Sequence, residues 1–224
     1  MAFSCETAKI EVEGDAPAKV GVMADSHGEP ELLQRAVERL LGLGCGFMVH
    51  LGDVVDSARP ETADACVEIL RKNRVFTVKG NNDHQIVASH DGRTGGPVSE
   101  QAVQWLKDLP CRLLYGKAVF VHSLPFVGRM GLSALARSME PPQMLAYLSG
   151  RPAQILFRGH SHSPLVAHLN EDRAQKKLST ITPPPDQALD TASLAPCIVT
   201  CGALAHNLFL VWGPETGSIS SIRL

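Results

Sequence analysis

Apolar residues along the first two thirds of the chain fall into short continuous runs that alternate with spaced stripes. The runs are Val20-Gly21-Val22-Met23-Ala24, Phe47-Met48-Val49-His50-Leu51, Val75-Phe76-Thr77-Val78, Ala118-Val119-Phe120-Val121 and Ile155-Leu156-Phe157. Their length, β-branched content and bounding turn residues predict buried strands. The stripes have helical spacing: Leu32, Leu33, Ala36, Val37, Leu40 and Leu41; Ala63, Cys66, Val67 and Leu70; Ala102, Val103, Leu106 and Leu109; Met144, Leu145 and Leu148. Glu29-Pro30 opens the first stripe, and proline suits a first helical turn because that turn leaves its N–H groups unpaired anyway. Strand and helix in alternation predict an α/β layered fold with parallel strands in its first half.

The pattern changes near Leu165. Leu165 to His168, Cys197 to Leu204, Asn207 to Trp212 and Ser218 to Ile222 read as strands, with a hairpin loop at Gly213-Pro214-Glu215-Thr216-Gly217. The polar stretch 170–196, centred on Pro183-Pro184-Pro185, reads as an exposed loop. Residues 123–143 mix Gly and Pro with Phe126, Met130 and Leu132, a pattern that suits a lid beside a cleft or a contact surface equally.

Composition narrows the function classes. With 224 residues the chain can bury a substantial core, and a formal net charge of −2 offers no general attraction for polyanions. Nucleic acid is therefore not an expected partner. No apolar run approaches the length needed to cross a bilayer, and the N-terminal stretch lacks the apolar segment of a signal peptide. The six cysteines form no C-x-x-C; Cys45, Cys66 and Cys197 read as core thiols, and Cys197 with Cys201 lacks a second pair to share a metal. A reducing, cytoplasmic compartment follows as the expectation.

The turns after the five runs hold the candidate chemistry. They read Asp25-Ser26-His27-Gly28, Gly52-Asp53-Val54-Val55-Asp56, Gly80-Asn81-Asn82-Asp83, a lone His122, and Gly159-His160-Ser161-His162. In a parallel sheet the C-terminal strand ends line one edge, where α/β folds place ligands. Carboxylate, amide and imidazole without thiolate suit Mn, Fe, Zn or similar divalent ions. If Gly159 to His162 is extended, His160 and His162 face one side about 6.6 Å apart. That spacing suits two neighbouring ions about 3.5–4 Å apart, with Asp53 able to bridge them.

In this order, D-x-H, G-D, G-N-x-D, a lone His and G-H-x-H resemble the calcineurin-like metallophosphoesterases over roughly residues 19–204. The small single-domain bacterial and archaeal phosphodiesterases are most similar in length and layout. The resemblance implies an α/β fold, a two-sheet β-sandwich flanked by helices in α-β-β-α layers. It implies one domain over 19–224, with 1–18 as an extension or edge strand. It places Asp25, His27 and His162 on one metal, Asn81, His122 and His160 on the other, and Asp53 between them. Two divalent ions are implied, Mn first, with Fe, Zn, Ni or Co as alternatives. The implied reaction is hydrolysis of a small phosphate ester by in-line attack of a hydroxide bridging the two ions. Homo-oligomerisation is left open.

One position departs from the family pattern. Many members read G-N-H-[DE] at the third motif, whereas here Asn82 replaces the histidine. An amide can hydrogen-bond a phosphoryl oxygen but cannot protonate a leaving group, a contribution of about 10²–10⁴-fold. Asn82 and Asp83 are the candidate catalytic residues, Asp83 with helix capping as its other reading. The departure favours phosphodiesters over the rival phosphomonoesters, among them nucleotides, dinucleoside polyphosphates and phosphoproteins. A non-catalytic scaffold of the same fold is a further rival. His50 is expected to be structural, Asp56 to orient its turn, and Ser26 and Ser123 to bond backbone; His206 has no spacing that assigns it a role.

Overall fold

A computed structural model describes residues 6–12, 14–150, 154–172 and 175–224. The strands are β1 (Thr7–Lys9), β2 (Val20–Met23), β3 (Phe47–His50), β4 (Phe76–Thr77), β5 (Arg112–Tyr115), β6 (Ala118–Val121) and β7 (Ile155–Arg158). They continue with β8 (Leu165–Asp172), β9 (Gln175–Ile181), β10 (Ala188–Asp190), β11 (Cys197–Thr200), β12 (Leu208–Gly213) and β13 (Ser218–Arg223). The helices are α1 (Pro30–Gly42), α2 (Ala63–Lys72), α3 (Asn81–His90), α4 (Glu100–Asp108), α5 (Val127–Met130), α6 (Ser133–Ala136) and α7 (Pro141–Ser149).

Two mixed sheets result, ordered β10-β13-β12-β2-β3-β4 and β1-β5-β6-β7-β11-β8-β9. Side-chain alternation assigns each strand residue to a layer. On β6, Ala118 and Phe120 point into the core between the sheets, while Val119 and Val121 face an outer core beneath α7. On β2, Val20 and Val22 face the inner core and Met23 packs with α1 and α2. Phe120 stacks on Phe157 at 5.1 Å, and Trp212 from the opposite sheet closes on both. Helices over both outer faces complete the α-β-β-α sandwich that the resemblance implied. Gly21 lets α1 approach β2, because a Cβ there would lie 2.7 Å from Leu40 Cδ1.

Two sequence expectations need correction. The stretch 170–196 is not simply a loop: β8 and β9 form a hairpin from Val166↔Ile181 to Asp172↔Gln175, and β10 pairs with β13. The exposed strands are polar because ladder pairing satisfies their backbone whatever the side chains, and Leu169 pairs across to Leu178 against the outer core. Residues 173–174 lie outside the described residues, as do 1–5 and 13 of the N-terminal extension; Thr7–Lys9 is an edge strand parallel to β5. Cys45, Cys66, Cys197 and Cys201 are free and buried, as expected of core thiols. Cys111, by contrast, is disulfide-bonded, so the cysteines no longer argue as a set for a reducing compartment.

Candidate metal centre

The C-terminal ends of β2, β3 and β4 from one sheet meet those of β6 and β7 from the other. The donors thus come from two sheets, not from the single parallel edge that the sequence suggested. Backbone bonds stitch the turns together: Asp25 N donates to Gly52 O, His27 N to Asp53 O and Gly28 N to Val54 O, each at 3.0 Å. Gly159 N donates to His122 O at 2.9 Å, and His160 N donates to Asp25 Oδ2 at 2.9 Å.

This packing explains the motif glycines. A Cβ on Gly80 would sit 2.1 Å from Asp53 N, and one on Gly159 would sit 2.6 Å from Asp25 Oδ2. Five of the seven candidate donors adopt left-handed backbone: Asp25 (φ 55°), His27 (46°), Asp53 (53°), His160 (66°) and His162 (58°). Such residues cost about 1–3 kcal/mol each and cluster where surrounding structure holds them for a purpose. Gly159 to His162 is therefore not extended, and the 6.6 Å same-face spacing does not apply. Turn geometry aims the two imidazoles instead, and Ser161 between them is exposed.

The donors form two groups. His27 Nε2 lies 2.9 Å from His162 Nε2, which lies 3.7 Å from Asp25 Oδ1. Asn81 Oδ1 lies 3.0 Å from His122 Nε2 and 3.1 Å from His160 Nδ1, and those two nitrogens are 3.2 Å apart. Asp53 Oδ1 is 3.6 Å from His122 Nε2. Ligands bonded cis to one ion at about 2.0–2.2 Å lie about 3 Å apart, so both groups have ligand-like spacing.

Proton placement strengthens the fit to a cation. His122 Nδ1 donates to Leu51 O at 2.9 Å, and burial holds the ring below its ordinary pKa, so Nε2 carries a lone pair. That lone pair faces the Asn81 carbonyl oxygen with no hydrogen between them, a contact that a cation relieves. Burial, then His122, lowers His160 to about 4; burial, then His27, lowers His162. These imidazoles are neutral donors at neutral pH. Burial and then the Asp53 charge push Asp25 well above the usual carboxylate range, again a site that lacks positive charge.

Asn82 and Asp83 are both committed to the protein. Asn82 N donates to Asp53 Oδ1 and its Nδ2 to Asp53 Oδ2, each at 2.8 Å, while its Oδ1 accepts from Ser57 N and Oγ. The amide expected to meet a phosphoryl oxygen instead braces Asp53. Asp83 is fully buried, and its carboxylate accepts from the backbone N–H groups of Gly80, Asp53, Val54 and Val55. This geometry places it in the capping position of α3, its carboxylate accepting from the Gly80 N–H. Burial, then Asp53, pushes it up to about 7, against four donors that favour its ionised form.

Asp56 holds Arg59 at 3.1 Å, and Arg59 in turn donates to the His27 carbonyl at 2.6 Å, so Asp56 does orient the turns. Ser26 Oγ donates to Val54 O and Ser123 Oγ to Arg137 O, as expected. His50 accepts from Gly52 N at Nδ1, which puts its proton on Nε2, 3.0 Å from Ser26 Oγ. Burial lowers its pKa to about 3. The unfolded chain therefore binds a proton that the folded one refuses, and His50 stability is whole above about pH 6.5 and lost as pH falls toward 3. At pH 5 the loss is about 2 kcal/mol. Urea unfolding of the metal-free protein between pH 7 and 5 should weaken less in His50→Gln than in wild type. Equal pH slopes would show that His50 carries no such linkage.

His206 is the residue that sequence spacing missed. Its ring packs edge-to-face on His162 at 5.4 Å, bringing it to the rim. Arg129 and Arg137 are exposed on the segment after β6. Arg158, directly before Gly159, is buried, and its Nη1 has no hydrogen-bond partner among the described residues.

The model of the calcineurin-like phosphoesterase superfamily domain matches residues 18–183. No curated protein matches the sequence significantly. Among solved structures, a metallophosphoesterase from Sphaerobacter thermophilus is similar in fold, with TM-score 0.70 and 20% identity over 93% of this chain and 89% of its own. A phosphoesterase from E. coli scores 0.45 at 15% identity, covering 92% of this chain and 98% of its own. A dimetal phosphatase from Danio rerio scores 0.46 at 13%, covering 88% and 92%.

Proposed function

Because the chain belongs to the calcineurin-like phosphoesterase superfamily, we propose that it hydrolyses small phosphate esters, diesters in preference to monoesters, with two divalent ions. Manganese is the first candidate metal, and residues 19–224 act as one catalytic domain. The observation that carries the reading is the meeting of Asp25, His27 and His162 beside Asn81, His122 and His160, with Asp53 adjoining both groups.

Asp25, His27 and His162 would hold one ion, Asn81, His122 and His160 the other, and Asp53 would bridge. Bound there, the ions would neutralise phosphoryl oxygens and lower the pKa of water from about 15.7 toward about 7. The chain's own part is placement. Asp25 and Asp53 supply the anionic charge, the buried imidazoles supply neutral lone pairs, and Asn82 fixes the Asp53 carboxylate from two directions. The ester is cleaved by in-line attack of water, with no covalent bond to the protein.

The diester preference is supported by the commitment of Asn82. With its amide taken by Asp53 and Ser57, the third motif offers no proton to a departing group. Esters whose leaving groups depart without one are favoured. No helix among the described residues is long and apolar enough to cross a membrane.

Metal analysis alongside turnover of bis(para-nitrophenyl) phosphate and para-nitrophenyl phosphate with Mn²⁺ tests this. About two ions per chain and a higher kcat/KM on the diester are expected. Faster monoester turnover would reverse the substrate assignment. Metal binding without turnover of either ester would instead favour the scaffold.

A further inference from the structure

We infer that His206 contacts the substrate, its imidazole N–H donating a hydrogen bond to an anionic oxygen of the bound phosphate ester on the His27–His162 side of the site. The inference rests on the phosphoesterase reading above and deepens it.

Rigid presentation is the first argument. His206 ends a single 3-10 turn, Leu204–His206, that is docked on the first motif itself. Leu204 N donates to Ala24 O at 2.7 Å and Ala205 N to Asp25 O at 3.1 Å. Asn207 leaves the turn in left-handed conformation (φ 61°), and its N–H closes onto Leu204 O at 2.7 Å. The backbone that places Asp25 therefore also places His206, although 181 positions separate them in sequence.

Position and availability supply the rest. His27 and His162 are half-buried, whereas His206 is exposed and stands against the His162 ring at 83°. The His162 ring contacts His27 at 4.9 Å and the exposed His206 ring at 5.4 Å, so a substrate seated against His162 lies within reach of His206. Two longer polar side chains of the neighbouring turns are occupied: Arg59 serves Glu29, Asp56 and the His27 carbonyl, and Asn82 serves Asp53 and Ser57. A neutral imidazole always keeps one N–H, so this contact needs no added charge.

Three variants and three measurements test the assignment. His206→Phe keeps a ring against His162 but removes the donor, His206→Gln keeps a donor on a flexible chain, and His206→Ala removes both. Each is compared with wild type for bound Mn²⁺, for inhibition by inorganic phosphate, and for kcat and KM on bis(para-nitrophenyl) phosphate. In the Phe variant KM and the phosphate inhibition constant should rise about tenfold, the low end for a hydrogen bond to a charged partner. Metal content should stay as in wild type, and Gln should recover part of the binding. Unchanged KM and phosphate inhibition in an active, metal-loaded Phe variant would overturn the inference alone. So would loss of metal in that variant, since His206 would then act by holding His162. A wild-type protein that binds no metal and cleaves no ester would overturn the phosphoesterase reading and this inference together.

Discussion

Asp53→Asn should remove nearly all turnover and the metal-dependent rise in thermal stability, while the metal-free protein still folds. Asp53 is 2% exposed, and both its oxygens already accept hydrogen bonds from Asn82. An asparagine amide in its place sets an NH₂ against a donor, N–H or Nδ2, in either orientation. It also halves the anionic charge offered by Asp25 and Asp53 to the two donor groups. Residues one layer out from a metal typically cost about 10–100-fold when replaced, so a bridging ligand should exceed the upper figure. Relief of repulsion among the buried carboxylates Asp25, Asp53 and Asp83 opposes the cost of that donor–donor contact, so the metal-free variant should still fold, with a melting temperature close to that of wild type. Metal titration, turnover and melting curves with and without Mn²⁺ measure all three effects. A variant that retains metal stoichiometry and turnover would remove Asp53 from the centre.

Asp83→Ala should have the largest effect on stability. It strands the backbone N–H groups of Gly80, Asp53, Val54 and Val55 in a buried space. Each buried, unpaired donor costs about 1–3 kcal/mol, and relaxation or an entering water recovers some of it. A net loss of about 3–5 kcal/mol is expected, which in a chain of this size lowers Tm by about 6–20 °C. Asp83→Asn should also fail to rescue, since one of its polar ends would meet N–H donors with N–H of its own. The turn carrying Asp53 loosens with the loss, so metal affinity should fall by about 10–100-fold in whatever fraction folds. Thermal and urea unfolding of the metal-free protein would decide it. A loss under about 1 kcal/mol would mean that the four donors find other acceptors.

These two neighbours show how far residue type alone can be read. Asp53 stands in a G-D turn after a buried run, and its candidacy as a ligand is legible there because the turns after four other runs also carry donor side chains. Asp83 carries the same functional group two residues after Asn81, yet three of the four N–H groups it accepts from belong to the Asp53–Val55 turn, 28 to 30 positions away. No local pattern distinguishes an acid that faces a cleft from one that clamps a loop. Asn82 is similar: its amide chemistry was apparent, but its commitment to Asp53 and Ser57 depends on where the second and third motifs cross.

The fold divides along the same line. Buried runs such as Ala118 to Val121 announce their strands because both faces are covered. Arg112–Tyr115 and Gln175–Ile181 do not, since edge and hairpin strands gain their pairing from neighbours rather than from their own hydrophobicity. His206 shows the limit most clearly, for its place beside His162 comes from a turn hydrogen-bonded to Ala24 and Asp25.

What the chain alone determined is the order of its buried elements and the kinds of donor at their ends, because side-chain chemistry and hydrophobic period are local properties. Tertiary structure decided which donors share a group, that two sheets supply them, which polar residues are already spoken for, and which histidine reaches the rim. Those outcomes depend on distances between strand ends, and such distances arise from the stacking of the two sheets and the strained turns that this stacking sustains.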